Sequence, residues 1–264
     1  MNKNININKK IVMFLFALCS LIFIPTAKVY AWGPERSTYT MKDPAHSATF
    51  NSITDNAAVG DERDFVRVVE VSEDGTKKTY ANEVEVVAGK TYQVYIYYHN
   101  DASETFDDKA HDYVGVAMNT RVSSNYPLKL AAGEKGEIYG AISSTTTSPE
   151  KVWDSAYLNA KEDVTLHYIA ASATLHNDWK ADGSVLSTNL FSEKGTFIGL
   201  NELEGTILGC DKYSGYVIYR IVTEAASTPI SYYIITISIA VVAVIIIITL
   251  FYRSLRKKNR KNYK

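Results

Sequence analysis

Five carboxylates and one amide crowd one 13-residue stretch: Asn100, Asp101, Glu104, Asp107, Asp108 and Asp112. Calcium takes six to eight oxygen ligands, and clustered carboxylates supply them. Asn100, Asp101, Asp107, Asp108 and Asp112 are therefore candidate calcium ligands, and calcium is the one candidate cofactor. The spacing is not that of an EF-hand, which needs a Gly at its sharp turn and a closing Glu. A solvated acidic loop is the other reading. Asp55, Asp61, Glu62 and Asp64 form a second, sparser acidic run, in which Arg63 and Arg67 stand ready to pair with the acids.

Other chemistry is thinly represented. The five histidines, His46, His99, His111, His167 and His176, include no pair at zinc-ligand spacing. His99 and His167 fall inside strand patterns, where packing or surface roles are the default. Cys210 is a candidate nucleophile in a Cys/His arrangement, but a free cysteine is more often a small buried hydrophobe. There is no Gly-x-Ser-x-Gly, no His-Glu-x-x-His, no phosphate-binding Gly loop and no Cys-x-x-Cys. Nothing singles out two carboxylates for glycoside hydrolysis. The 19 tyrosines and the tryptophans Trp153 and Trp179, in or near loops, are better suited to recognition, because Tyr and Trp give rigid contact area. Tyr95 and Tyr97 stand on the off-face of their strand, as contact residues or as filler.

Strands must position these groups. In Thr91-Tyr92-Gln93-Val94-Tyr95-Ile96-Tyr97-Tyr98-His99, Tyr92, Val94, Ile96 and Tyr98 point one way and the rest the other. Val84 to Val87 precedes it and ends at an Ala-Gly-Lys turn. Val114, Val116, Met118, Thr120 and Val122 alternate in the same way, and Val164 to Ala173 continues the pattern. Tyr216 to Val222 is apolar on both faces, the mark of a central strand. Phe65 to Val71, Lys77 to Ala81, Glu137 to Ser143 and Lys151 to Leu158 are further strands, with Asp74-Gly75 as the hairpin turn between the first two. Many short strands and no helical period predict a mainly β fold, either one elaborated sandwich or two small ones. The absence of a Pro/Gly-rich linker favours a single unit.

The two ends read as addresses. Lys3, Lys9 and Lys10 precede the 14-residue apolar run 11–24, Pro25 breaks it, and Val29-Tyr30-Ala31 offers a cleavage site. Residues 1–31 are thus a signal peptide, or an uncleaved signal helix. Residues 230–252 form a charge-free run of 23, which as a helix rises about 35 Å and would cross a bilayer. Arg253, Arg256, Lys257, Lys258, Arg260, Lys261 and Lys264 follow, and positive residues stay in the cytoplasm. No Leu-Pro-x-Thr-Gly precedes the run, so it reads as a retained anchor. Between the ends lie 17 basic and 29 acidic residues, against a whole-chain charge of -1. So acidic a middle excludes nucleic acid as a partner. Only Cys210 remains outside the apolar ends, so no intrachain disulfide is possible.

A resemblance carries this further. Val87 to Asp101 is similar to the opening of conserved-repeat, immunoglobulin-like domains on bacterial surfaces: apolar strand, Gly turn, Thr-Tyr strand, then Asn. The stretch from Val114 to Pro127 resembles their second strand. Trp32-Gly33-Pro34-Glu35-Arg36, Phe50-Asn51-Ser52-Ile53-Thr54-Asp55-Asn56, Gly60-Asp61-Glu62-Arg63 and Gly209-Cys210-Asp211-Lys212-Tyr213-Ser214-Gly215-Tyr216-Val217 resemble an uncharacterised family of exported, membrane-anchored bacterial surface proteins. The resemblance implies location and an immunoglobulin-like β-sandwich, and implies no chemistry.

The expected protein is a bacterial single-pass cell-surface protein of the plasma membrane. Its β-sandwich ectodomain (32–224) lies outside, followed by a linker (225–229), a transmembrane helix (230–252) that meets the lipid bilayer, and a cytoplasmic tail (253–264). It is expected to bind or organise an extracellular protein or glycan without catalysis. The alternatives are a membrane-tethered enzyme on glycan or peptide, or an accessory subunit of an envelope complex.

Overall fold

A computed structural model of the chain describes residues 32–72, 74–226 and 241–249. The expected signal segment 1–31 and cytoplasmic tail 253–264 lie outside these residues, as does most of the run 230–252. Its described part, 241–249, is helical, with Val241, Val242, Val244 and Ile245 to Ile248 exposed. Among the described residues no helix is long and apolar enough to cross a membrane.

Eleven strands make up the rest: β1 (Val66–Val71), β2 (Glu83–Val86), β3 (Thr91–Tyr98), β4 (Arg121–Asn125), β5 (Lys129–Leu130), β6 (Lys135–Ser143), β7 (Lys151–Ala160), β8 (Val164–Tyr168), β9 (Thr174–Asn177), β10 (Thr196–Phe197) and β11 (Gly215–Ala225). One sheet runs β1-β3-β11-β8-β5, with β9 also on β11; the other runs β10-β4-β6-β7-β2. All pairings are antiparallel except β2 with β7. The chain is mainly β, and its two sheets share one buried cluster, consistent with a β-sandwich.

Alternation explains which strands are central. Along β3, Tyr92, Val94, Ile96 and Tyr98 are all buried in the core. The opposite face is covered too, because Gln93 and Tyr97 are buried. β11 is central as its two apolar faces predict. It pairs with β3 on one side, and with β9 and then β8 along the other. Two features lock the sheets together. Gly140 of β6 lies so close to β1 that an added Cβ would stand 2.6 Å from Val66 Cγ2. Tyr219 of β11 meets Ser124 of β4 through the core, hydroxyl to hydroxyl at 2.9 Å.

Two expected strands differ. Within the alternating stretch from Val114 to Val122, only the end belongs to a strand, β4, which begins at Arg121. Its alternating residues do not share one buried face: Val116, Thr120 and Val122 are buried, Val114 and Met118 are exposed, and Ala117 makes an isolated bridge to Ile207. Lys77 to Ala81 returns along β1 through isolated bridges only, after a turn at Asp74-Gly75 in which Asp74 accepts from Thr76 N at 2.9 Å.

Candidate functional site

β3 carries the site past its own end. Strand alternation continues beyond Tyr98, so His99 and Asp101 project to the same side and Asn100 to the other. Asn100 turns into the protein, where its amide donates to Gly115 O at 2.7 Å and Ile207 O at 3.0 Å. The neighbouring segment 49–53 is not a regular strand, yet it holds this extension in place. Asn51, at φ 49°, donates from Nδ2 to Tyr97 O at 2.9 Å and accepts from His99 N at 2.8 Å. Asn is among the few side chains that tolerate that left-handed backbone.

The turn before β1 supplies the third group. Arg63 pairs with Asp61 at 2.6 Å and Arg67 with Asp64 at 3.5 Å. The outer acids are thereby neutralised, and Glu62 between them turns inward. Its two carboxylate oxygens lie 3.0 and 3.1 Å from His99 Nδ1. Asp101 Oδ1 lies 3.3 Å from the same nitrogen. Glu62 is 0%, Asp101 1% and His99 2% exposed. Among the described residues this is the one group of three His, Cys, Asp or Glu side chains whose ligand atoms all lie within 4.8 Å of one another.

Each carboxylate is steadied from behind. Asn56 Nδ2 donates to Glu62 Oε1 at 2.6 Å, and Ser52 N donates to Asp101 Oδ2 at 2.5 Å. Asp101 Oδ1 and His99 Nε2 are buried without a hydrogen-bond partner. Burial and the Glu62 carboxylate push the Asp101 carboxyl well above the usual range. Arg36 acts the other way on Asp101 from a site where burial lowers its own pKa to about 10.

A cleft of about 330 Å³ opens over the cluster. His99 and Asp101 line it with Met41, Ile53, Thr105 and Cys210. Cys210 is half-buried at φ 113°, a conformation that costs a side-chain-bearing residue on the order of 1–3 kcal/mol. Gly209 lets that wall close in, because a Cβ there would stand 2.6 Å from Ala102 O.

The loop 100–112 does not gather its acids. Asp107 accepts from Gly209 N at 2.9 Å, and burial raises it to about 6. Asp108 accepts from His111 N and Nδ1, Glu104 pairs with Lys212, and Asp112 ends a short turn at φ 53°. Of Asn100, Asp101, Asp107, Asp108 and Asp112, the structure brings Asp101 to His99 and Glu62, and no three of the loop's acids come within 4.8 Å of one another. Asp101, Glu104, Asp107 and Asp108 are each engaged in hydrogen bonds or ion pairs with other groups of the protein. The sequence places Glu62 in the weaker acidic run and leaves His99 with a packing or surface role by default. The signal available was the same-face pair His99 and Asp101 at a strand end.

The aromatic residues form a separate surface. Tyr80, Tyr95, Tyr216 and His176 run in sequence over the outer face of the first sheet, with centroid spacings of 5.2, 4.9 and 5.0 Å. Tyr95 and Tyr216, and Tyr216 and His176, stack on one another, so those ring faces are spent internally. Tyr97 is buried with its hydroxyl beside Asn56 and Glu62. Trp153 lies within β7, against Gly33, and Trp179 stacks on Tyr213 at 5.1 Å. Comparison of the chain with protein-family models, curated proteins and solved structures finds no match.

Proposed function

We propose that the protein is a bacterial single-pass cell-surface protein whose immunoglobulin-like β-sandwich ectodomain binds an extracellular protein or glycan without catalysis. The cleft over Glu62, His99 and Asp101 is the binding site in this reading. One observation carries it: two buried polar atoms, His99 Nε2 and Asp101 Oδ1, lack partners, and both residues line an open cleft. A buried unpaired polar atom costs about 1–3 kcal/mol, which a polar ligand group would recover. The stacked strip from Tyr80 to His176 is a poorer candidate for sugar, because its stacked rings do not present their faces.

The test is binding of full-length protein, reconstituted in lipid vesicles, to whole cells and isolated envelopes. Met41→Arg and Thr105→Arg place charge and bulk on the cleft wall. Saturable binding that both variants reduce supports the reading. Binding unchanged by either variant, or no binding to any fraction, overturns it.

A second reading has its own observation. Cys210 and His99 line one cleft, and the His99 ring is held by Glu62 as a general base is held in thiol enzymes. A membrane-tethered enzyme acting on peptide or glycan would then lose turnover in Cys210→Ser, whereas the binding module keeps its binding.

A further inference from the structure

Two carboxyl groups and one imidazole are packed together out of water, and buried groups of this kind are paired or coordinate a metal. Arg63 and Arg67 are engaged with Asp61 and Asp64, and Arg36 donates to Ser52 Oγ, Pro34 O and Asn51 O.

We infer that Glu62, His99 Nδ1 and Asp101 bind one first-row divalent transition-metal ion, of the Zn²⁺ or Mn²⁺ class. This deepens the cleft-binding reading above and rests on it for the ion's role, though not for its binding.

The geometry fits in three respects. A metal with ligands at about 2.0–2.2 Å in tetrahedral array sets neighbouring ligand atoms about 3.3–3.6 Å apart. Here His99 Nδ1 stands 3.0 and 3.1 Å from the two Glu62 oxygens and 3.3 Å from Asp101 Oδ1, close to two edges of such a polyhedron, and ligand atoms of all three residues lie within 4.8 Å of one another. Next, the outer contacts are those that orient ligands. Asn56 and the Ser52 N–H each hold one carboxylate oxygen, and Asp101 Oδ1 is left free and buried beside the imidazole. Last, the donor chemistry selects the metal. Imidazole suits zinc, iron, copper and nickel, whereas carboxylate suits manganese, and a mixed set of three suits a borderline dication. Calcium wants six or more oxygens, which this pocket does not offer.

Metal on Nδ1 also fixes the tautomer. Nε2 then carries the proton and becomes a buried donor on the wall of the cleft. Three protein ligands leave a coordination position open, as in sites where metal meets an exogenous ligand. The open position on the ion would take an anionic or carbonyl oxygen of the partner, while the Nε2 proton points to the far side of the ring.

The test uses full-length protein in detergent, purified without chelator. Metal content is read by mass spectrometry. The chelated protein is then titrated calorimetrically with Zn²⁺, Mn²⁺ and Ca²⁺, and its thermal unfolding is followed with and without each ion. The expected result is one equivalent of Zn²⁺ or Mn²⁺, a raised unfolding temperature with that ion, and no response to Ca²⁺. Glu62→Gln and His99→Gln should each weaken binding by more than the roughly ten- to hundredfold that loss of an outer-shell partner costs. Because the wild-type measurements need no variant to fold, absence of metal, of heat and of a thermal shift overturns the inference outright. A calcium response without zinc or manganese binding also overturns it. Metal binding without cell binding would overturn the recognition reading alone. Cell binding that survives chelation and Glu62→Gln would leave recognition standing without the metal.

Discussion

Glu62 and His99 lie 37 positions apart in the chain, yet Glu62 Oε1 sits 3.0 Å from His99 Nδ1 with both side chains withdrawn from solvent. Neither residue is brought there by local preference. Glu62 turns inward because Asp61 and Asp64 take the arginines beside it, and His99 is carried in by the strand β3. Glu62→Ala would strip Asn56 and His99 of an acceptor in a buried place. The expected loss is about 1–3 kcal/mol per orphaned group. Urea unfolding of the full chain measures it, and Glu62→Gln should recover part of the loss by keeping an oxygen for Asn56.

Asp154 makes stability fall as pH rises. Its Oδ2 accepts from Phe65 N and Val66 N, both at 2.7 Å, at the start of β1. Burial raises its pKa to about 7 all the same. The folded state therefore holds a proton that the unfolded carboxyl, with pKa 3.8, releases. The stabilisation is complete below the unfolded pKa and is lost as pH climbs to about 7. The slope approaches about 1.4 kcal/mol per pH unit for one proton. Asp107, raised to about 6, adds in the same direction over a shorter range. Asp154→Asn should gain stability relative to wild type between pH 4 and pH 7, as read from urea midpoints across that range. A constant difference would show that Asp154 titrates normally.

Tyr219 and Ser124 join the two sheets through the core. Tyr219→Phe removes that hydrogen bond and leaves Ser124 Oγ still donating to Tyr139 O at 2.7 Å. With no orphan created, the cost should be only about 0.5–1.5 kcal/mol. A double-mutant cycle with Ser124→Ala isolates the pair, and its coupling should account for most of the loss.

Gly140 sets the distance between the same sheets. Gly140→Ala drives a methyl to 2.6 Å from Val66 Cγ2 and 3.2 Å from Ile96 Cδ1. Overpacking of this kind costs about 1–3 kcal/mol. Gly140→Ala paired with Val66→Ala should be less unstable than the sum of the two changes, because the second opens space for the first. Additive losses would place the strain elsewhere.

The long strands were legible and the site was not, for different physical reasons. Thr91 to His99 and Tyr216 to Val222 announce themselves because burial on alternate sides imposes a period of two. β5, β9 and β10 have two to four residues each, too few for a period. The stretch from Val114 to Val122 alternates in residue type, yet it pairs only at its end and at Ala117, and its burial does not follow the alternation. The acidic loop drew attention because acids were dense in sequence. Density in sequence is not density in space: most of those acids serve neighbouring backbone groups. The cluster that does converge needs one residue from a turn before β1 and two from beyond β3, and no spacing rule links them.

Asn51 is the residue on which that convergence hangs. Its side chain satisfies Tyr97 O and His99 N where the ladder of β3 runs out, and its own N–H donates to His99 O at 3.1 Å. Asn51→Ala orphans two buried backbone groups, at about 1–3 kcal/mol each, and forces Ala to φ 49° for a further 1–2 kcal/mol or so. Asn51→Gly removes only the side-chain bonds, since Gly accepts that backbone freely. Both variants should be destabilised in urea, with Asn51→Gly the milder by about 1 kcal/mol. If Asn51→Gly matches wild type, the two hydrogen bonds contribute nothing, and the position is held by backbone conformation alone. If both are unstable as expected, Zn²⁺ binding should weaken in Asn51→Gly although every proposed ligand is intact, because His99 and Asp101 are no longer held toward Glu62.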